Sequence, residues 1–198
     1  MKENQIMSAN DKSELSPDQF RNFVEQIAKL KPPMIFKNGS PSNANMIIAN
    51  IYKTSSTVNL FIDNLDGKIS NEEKDYIEQL SMFLDKKDSK LNVIFQGVPV
   101  KSEACTLMQA HPTNVSFKQI ESDQAKLKVK AFVDTTYGEN FSLKFVTGDT
   151  DKFRLQAVSQ SSLNPYSAFF SFNNTEITES LNSFFKEIWE LSKEYKFN

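Results

Sequence analysis

Lys144, Asp149, Asp151 and Arg154 are the densest group of charged residues with chemical potential in this chain of 198 residues. They lie on two alternating apolar runs, 141–147 and 152–158, on either side of Gly148-Asp149-Thr150-Asp151, a pattern that predicts a β-hairpin. Such a cluster can bind an anion, and it can equally be a solvated hairpin tip whose ion pairs contribute little. Asp63 and Asp66 follow a second apolar run. Two carboxylates at the carboxyl end of a strand can hold a divalent metal, although Asn64-Leu65-Asp66-Gly67 also suits an ordinary strand-to-helix turn. His111 is the only histidine and Cys105 the only cysteine. This excludes chemistry needing two histidines from one chain, a disulfide framework and a thiolate metal cluster. His111 precedes Pro112 with no acid beside it in sequence, so it reads as a helix-end histidine rather than a general base. The chain implies no cofactor.

Composition narrows the function classes. Net charge is −2 and the pI about 5.6, which argues against broad electrostatic capture of nucleic acid. Lys126, Lys128 and Lys130 alternate with Leu127, Val129 and Ala131. The alternation predicts a half-exposed edge strand whose lysines discourage stray pairing. Apart from Phe132, these lysines lack the interleaved aromatics of a single-strand binding track. No apolar run approaches the ~18 residues needed to cross a bilayer. Residues 1–14 are polar and read as a disordered leader rather than a signal peptide, so the expected compartment is the cytoplasm. Apolar residues make up 39% of the chain, with 17 phenylalanines, enough for a sizeable core.

The elements that must position these residues begin with residues 58–97. Two apolar runs, 58–62 and 91–95, flank an amphipathic helix carrying Tyr76, Ile77, Leu80, Phe83 and Leu84, the pattern of a parallel strand–helix–strand unit. Ser70 and Glu73 suit a capping box for that helix. Upstream, Ser16-Pro17-Asp18-Gln19 is a helix start, with Phe20, Phe23, Val24, Ile27 and Leu30 on one face. A short apolar run follows at 34–36, then a second helix over 43–53. Downstream come a short helix at 102–110, a third parallel strand at 115–120, the edge strand and hairpin, a strand at 168–172 and a long helix over 177–195. Lys193 and Lys196 would complement the dipole of that last helix. The expected fold is α/β: a single mixed β-sheet flanked by helices on both faces, with an N-terminal helical extension. The domain plan is a leader over 1–14, a helix and linker over 15–42 and an α/β domain over 43–198.

From Asn45 onward the chain resembles the phospholipase D-like domain, on the strand–helix–strand opening, the late hairpin, the polar loop and the closing helix that contains Asn173-Asn174-Thr175-Glu176-Ile177. The resemblance implies a His-x-Lys-x4-Asp motif on the hairpin, two copies of which build one phosphodiesterase site, with one histidine attacking phosphorus and the other protonating the leaving group. Here Lys144 stands in the place of the histidine and Val146 in that of the lysine; only Asp151 matches. The family's Gly-Ser-x-Asn element corresponds to Ser161-Ser162-Leu163-Asn164 without its glycine, and Asn173 with Glu176 traces a further Asn-x-Glu element.

A lysine ammonium has no lone pair with which to attack phosphorus, and valine offers nothing to an anionic transition state. The resemblance therefore implies a module that has lost catalysis and that dimerises and binds a partner protein or a phosphate-bearing ligand. Lys144, Asp149, Asp151, Arg154, Asn164 and Asn173 are the candidate contacts. Stripped-down domains of this kind point to a bacterial regulatory or phage-defence setting. The competing expectations are a phosphodiesterase or nuclease with an altered, metal-assisted site at Asp63 and Asp66, and a nucleic-acid binder without catalysis.

Overall fold

Parallel pairing from Thr57↔Lys90 to Ile62↔Phe95 joins β3 (Thr57–Ile62) to β4 (Lys90–Phe95), with α3 (Lys74–Leu84) between them in the chain. Both strands are buried on both faces over their second halves, as continuous β-rich apolar runs require. The computed structural model describes residues 6–7, 15–63, 74–97, 102–159 and 167–197. Of the leader expected over 1–14, only Ile6–Met7 is described, and it forms β1. The capping box expected at Ser70 and Glu73 lies outside the described residues.

Around this unit the described strands form one sheet in the order β1-β2-β8-β7-β6-β3-β4-β5-β9. β5 (Val115–Gln119) extends the parallel block beyond β4. On the other side of β3 every pairing as far as β2 is antiparallel: β6 (Phe141–Gly148), β7 (Lys152–Ser159), β8 (Ala168–Ser171) and β2 (Ile35–Asn38). The sheet is mixed, as expected, and changes character between β3 and β6.

Helices cover both faces. α1 (Pro17–Leu30), α2 (Pro41–Thr54), α3 and α4 (Glu103–Gln109) pack on one side around Phe20, Val24, Ile47, Ile51, Leu80 and Phe83. α5 (Asp123–Thr136) and α6 (Thr175–Leu191) pack on the other around Val129, Val133, Phe145, Phe184 and Ile188. The local signals act as anticipated at α1. Ser16 Oγ accepts from Gln19 N, Gln19 Oε1 accepts from Ser16 N, and Pro17 occupies the first helical position. Leu30, placed on the buried face by its spacing, instead points to solvent in the final turn. In α4, Cys105 is buried and its Sγ accepts from Gln109 Nε2 at 3.2 Å. Phe169 and Phe170 point to opposite faces of β8, the second fully buried and the first 39% exposed.

Two expected elements are corrected. Residues 126–131 are not an edge strand but the middle of α5. Ser122 caps the helix by accepting from Ala125 N, and the residues that reach the core are Ala125, Val129 and Val133, four apart. Leu127 and Ala131, apolar in the period-two pattern, are exposed. The alternation was therefore incidental in a segment of strong helix formers. The final helix stops at Leu191 rather than Tyr195. Ser192 Oγ donates to Ile188 O at 2.7 Å, the chain turns extended, and β9 (Lys193–Glu194) pairs with Lys118 and Gln119 on β5. Lys193 and Lys196 therefore lie beyond the last helical turn.

Gly148 sets how closely α2 lies on β6. A Cβ there would fall 2.3 Å from Ser55 Oγ and 2.7 Å from Ile51 Cγ2. Gly148→Ala must push the end of α2 off the sheet, and the expected loss is about 1–3 kcal/mol in urea unfolding. An unchanged midpoint would show that this approach is not sterically limiting.

Candidate functional site

The hairpin residues grouped by sequence separate into two clusters at opposite ends of β6. Lys144 and Asp149 are five residues apart along an extended chain, about 16 Å.

At the amino edge of β3, the hairpin tip is tied down from several directions. Asp149, with φ 51°, donates its N–H to Thr57 O at 2.8 Å, and its Oδ1 accepts from the N–H groups of Ser56 and Thr57, both at 3.0 Å. Lys152, whose side chain is 3% exposed, places Nζ 3.0 Å from Asp149 Oδ2 and 2.8 Å from Asp151 Oδ1. Asp151 Oδ2 also accepts from Lys31 Nζ at 2.9 Å. The Asn173 side chain donates to Lys31 O at 2.7 Å, and Asn174 donates its N–H to Asp151 O before capping α6 through Ile177 N. Burial pushes both carboxyls up. For Asp149 the hydrogen bonds from Thr57, Lys152 and Ser56 outweigh it, for Asp151 those from Lys152 and Lys31 do, and both pKa values end below the ordinary aspartate range. Asp149, Asp151 and Asn173 are thus occupied in joining α1, β3, the hairpin and α6.

A second polar device was not anticipated. Asn92 Nδ2 donates to Asn59 Oδ1, Asn59 Nδ2 donates to Asn182 Oδ1, Thr147 Oγ1 donates to the same oxygen, and Asn182 Nδ2 donates to Asp149 O. The chain of amides anchors α6 to the tip. Its signal was present in sequence as an asparagine at the same place in each of two paired apolar runs, Val58-Asn59-Leu60 and Leu91-Asn92-Val93.

The carboxyl edge of β3 holds the remaining candidates. Lys144 Nζ lies 3.1 Å from Asp63 Oδ2, with both side chains about one-third exposed. Asp63 O accepts from the N–H groups of Gln96 and Gly97. On the far side of the sheet, Asp63, Gln96, Lys126, Lys130 and Asn140 line a cavity of about 410 Å³. Arg154 stands opposite Val146 on β7 and is 6% exposed. Its Nη2 donates to Gln156 Oε1 at 3.2 Å, its Nε is buried without a partner, and burial pushes its pKa down to about 10. Asp66 and Asn164 lie outside the described residues. Asp63 pairs with a lysine, and among the described residues no group of three or more His, Cys, Asp or Glu side chains could hold a metal ion.

His111 belongs to neither cluster. Its Nδ1 meets Leu107 O at 2.9 Å and its Nε2 meets Asp85 Oδ1 at 3.4 Å, beyond the ends of α4 and α3. Its carbonyl accepts from Val115 N at the start of β5. It is therefore at the amino edge of the parallel block, about 20 Å along the strands from Lys144.

No protein-family model matches the chain, and no curated protein matches it in sequence. Solved structures do. Nuc from Salmonella typhimurium, a phospholipase D family member, superposes with a TM-score of 0.51 at 10% identity, over 83% of this chain and 97% of that one. The fold is phospholipase D-like. TrmBL2, an archaeal chromatin protein whose structure shows a novel mode of DNA binding, superposes with the same TM-score at 12% identity, over 88% of this chain. The match spans 60% of the TrmBL2 chain. Among the described residues, no helix is long and apolar enough to cross a membrane.

The tip cluster makes stability acid-sensitive. Both folded carboxyl pKa values lie below the unfolded value of about 3.9, so their stabilisation is complete above that pH and is lost as pH falls through the folded values. Asp151→Asn should cost about 2 kcal/mol at pH 7, a figure reduced for partial exposure. It should also flatten the loss of stability below about pH 4. Denaturant unfolding of both proteins across pH 2 to 7 checks this, and parallel curves would contradict it.

Proposed function

We propose that the protein is a non-catalytic phospholipase D-like module that works as a dimer and binds a phosphate-bearing ligand or a partner carrying one, at the carboxyl edge of β3 around Lys144. The carrying observation is the chemistry of that edge. The residue in the place of the attacking histidine is an ammonium paired with Asp63, its neighbour Val146 is buried, and the single histidine sits at the opposite edge. An ammonium with no nucleophile beside it suits binding rather than bond cleavage. The exposed Phe169 on an otherwise buried strand is consistent with a second copy covering that face. The reading fits a regulatory or defence role in a bacterial cell, in which the scaffold is kept for assembly.

The expected result with bis-p-nitrophenyl phosphate is no turnover above background, identical in wild type and Lys144→Ala. Turnover that disappears in Lys144→Ala would overturn the reading. Light scattering at micromolar concentration should give twice the chain mass, and a monomer would remove the dimer from the proposal.

A nucleic-acid ligand is the second reading. It is favoured by Lys126 and Lys130, one turn apart on α5 and facing the same cavity as Asp63, and by the DNA-binding description of TrmBL2. It is opposed by the net charge of −2. A gel shift with single- and double-stranded DNA at low salt decides it: binding that weakens steeply with salt and fails in a Lys126→Gln, Lys130→Gln double variant supports it.

A further inference from the structure

Arg154 is a buried cation without a counter-ion among the described residues. No carboxylate among the described residues pairs with it, its hydrogen bond to Gln156 is to a neutral amide, and its Nε reaches nothing. A guanidinium removed from water in this way is strongly unfavourable unless an anion accompanies it. Even with its pKa pushed down to about 10 by burial, it carries its charge at neutral pH.

The surroundings add positive charge rather than remove it. Val146 and Phe170 flank Arg154 on the adjacent strands, so it is fixed between apolar side chains. Its guanidinium reaches toward Gln156, whose cross-strand partner is Lys144. α2 packs across β6 and β7 on this face. Its last turn rests on Gly148, and its first points toward the Lys144 end, where Asn38 Oδ1 accepts from the N–H of the capping residue Ser40. The positive end of the α2 dipole therefore adds to Arg154 and Lys144. Asp63 offsets Lys144, leaving about one and a half positive charges unbalanced.

We infer that Arg154 and Lys144 hold the terminal phosphate of a phosphomonoester beneath the first turn of α2. The inference rests on the phosphate-binding reading of this edge and narrows it. A monoester carries about −1.5 to −2 at neutral pH, which matches the unbalanced charge, and its oxygens suit the fork of a guanidinium. Arg154 is 6% exposed, so a ligand that meets it must present a terminal group on a narrow stem. An internal phosphodiester, flanked on both sides, cannot descend to it. The phosphate adds an anion that the described residues do not supply, with no bond made or broken.

The test is the thermal stability of the full chain titrated with inorganic phosphate, methyl phosphate, dimethyl phosphate or acetate at constant ionic strength. Inorganic and methyl phosphate should raise Tm saturably, while dimethyl phosphate and acetate should not. Arg154→Met should abolish the saturable rise and, without phosphate, melt at or above wild type because an unpaired charge has been removed. Lys144→Gln should weaken the phosphate midpoint about tenfold, one charge-assisted contact. If Arg154→Met does not fold, isothermal titration of Lys144→Gln and Arg154→Lys with methyl phosphate carries the test. No saturable rise with either monoester, an equal response to dimethyl phosphate, or unchanged affinity in the folded variants would overturn the inference. Those outcomes leave the non-catalytic reading standing. Turnover lost in Lys144→Ala overturns that reading and leaves the Arg154 result intact.

Discussion

A lysine ammonium sealed between two aspartates at the amino edge of β3 sets the frame of the molecule. Lys152 is as buried as the surrounding phenylalanines, and Asp149 and Asp151 face its Nζ together. Each aspartate has further duties: Asp149 holds the start of β3 through two backbone N–H groups, and Asp151 holds the end of α1 through Lys31. Removing any one of the three charges would strand the others in a poorly solvated place. The joint also fixes the position of β6, the strand at which parallel pairing gives way to antiparallel. The carboxyl-edge side chains are held from that distance.

β6 therefore does two different jobs at its two ends. One end is closed by ion pairs and amide hydrogen bonds. The other presents Lys144 to a half-exposed edge from which the chain leaves β3, β4 and β7. Asp151, the one residue that matches the resemblance's catalytic motif, belongs to the closed end. Its identity is explained by Lys152 and Lys31 without any reference to chemistry on a substrate. The closed joint and the half-exposed edge are separated along a single strand, so side chains at the carboxyl edge can change with no cost to the joint.

The parts of this arrangement that were legible in sequence are those that depend on local periodicity. The β3–α3–β4 unit, the hairpin and the cap at Ser16 each follow from local sequence, whereas the cap at Ser40, ahead of the expected start of the second helix, does not stand out from the turn at 38–41. α5 was misread because a six-residue alternation of lysine and apolar residues satisfies two periods, and the deciding information, Ala125 and Val133, lies outside it. The site was harder. Lys144, Asp149, Asp151 and Arg154 are neighbours in sequence, yet strand geometry carries them to different ends and depths. Lys31 and Asn182 join them only through tertiary packing over more than thirty intervening residues. The special status of Arg154 is the lack of a carboxylate partner among the described residues, which no local pattern records.

Cys105 has a consequence of a different kind. It is the only thiol, it is buried in α4, and burial raises its pKa, so the reactive thiolate is suppressed while the helix stays in place. A thiol reagent can then mark each molecule only once, at the moment α4 lifts from the sheet. Under conditions where closing outpaces labelling, the rate reports the free energy of that opening. The chain carries its own single-use timer for local breathing, placed beside the parallel block and remote from both ends of β6.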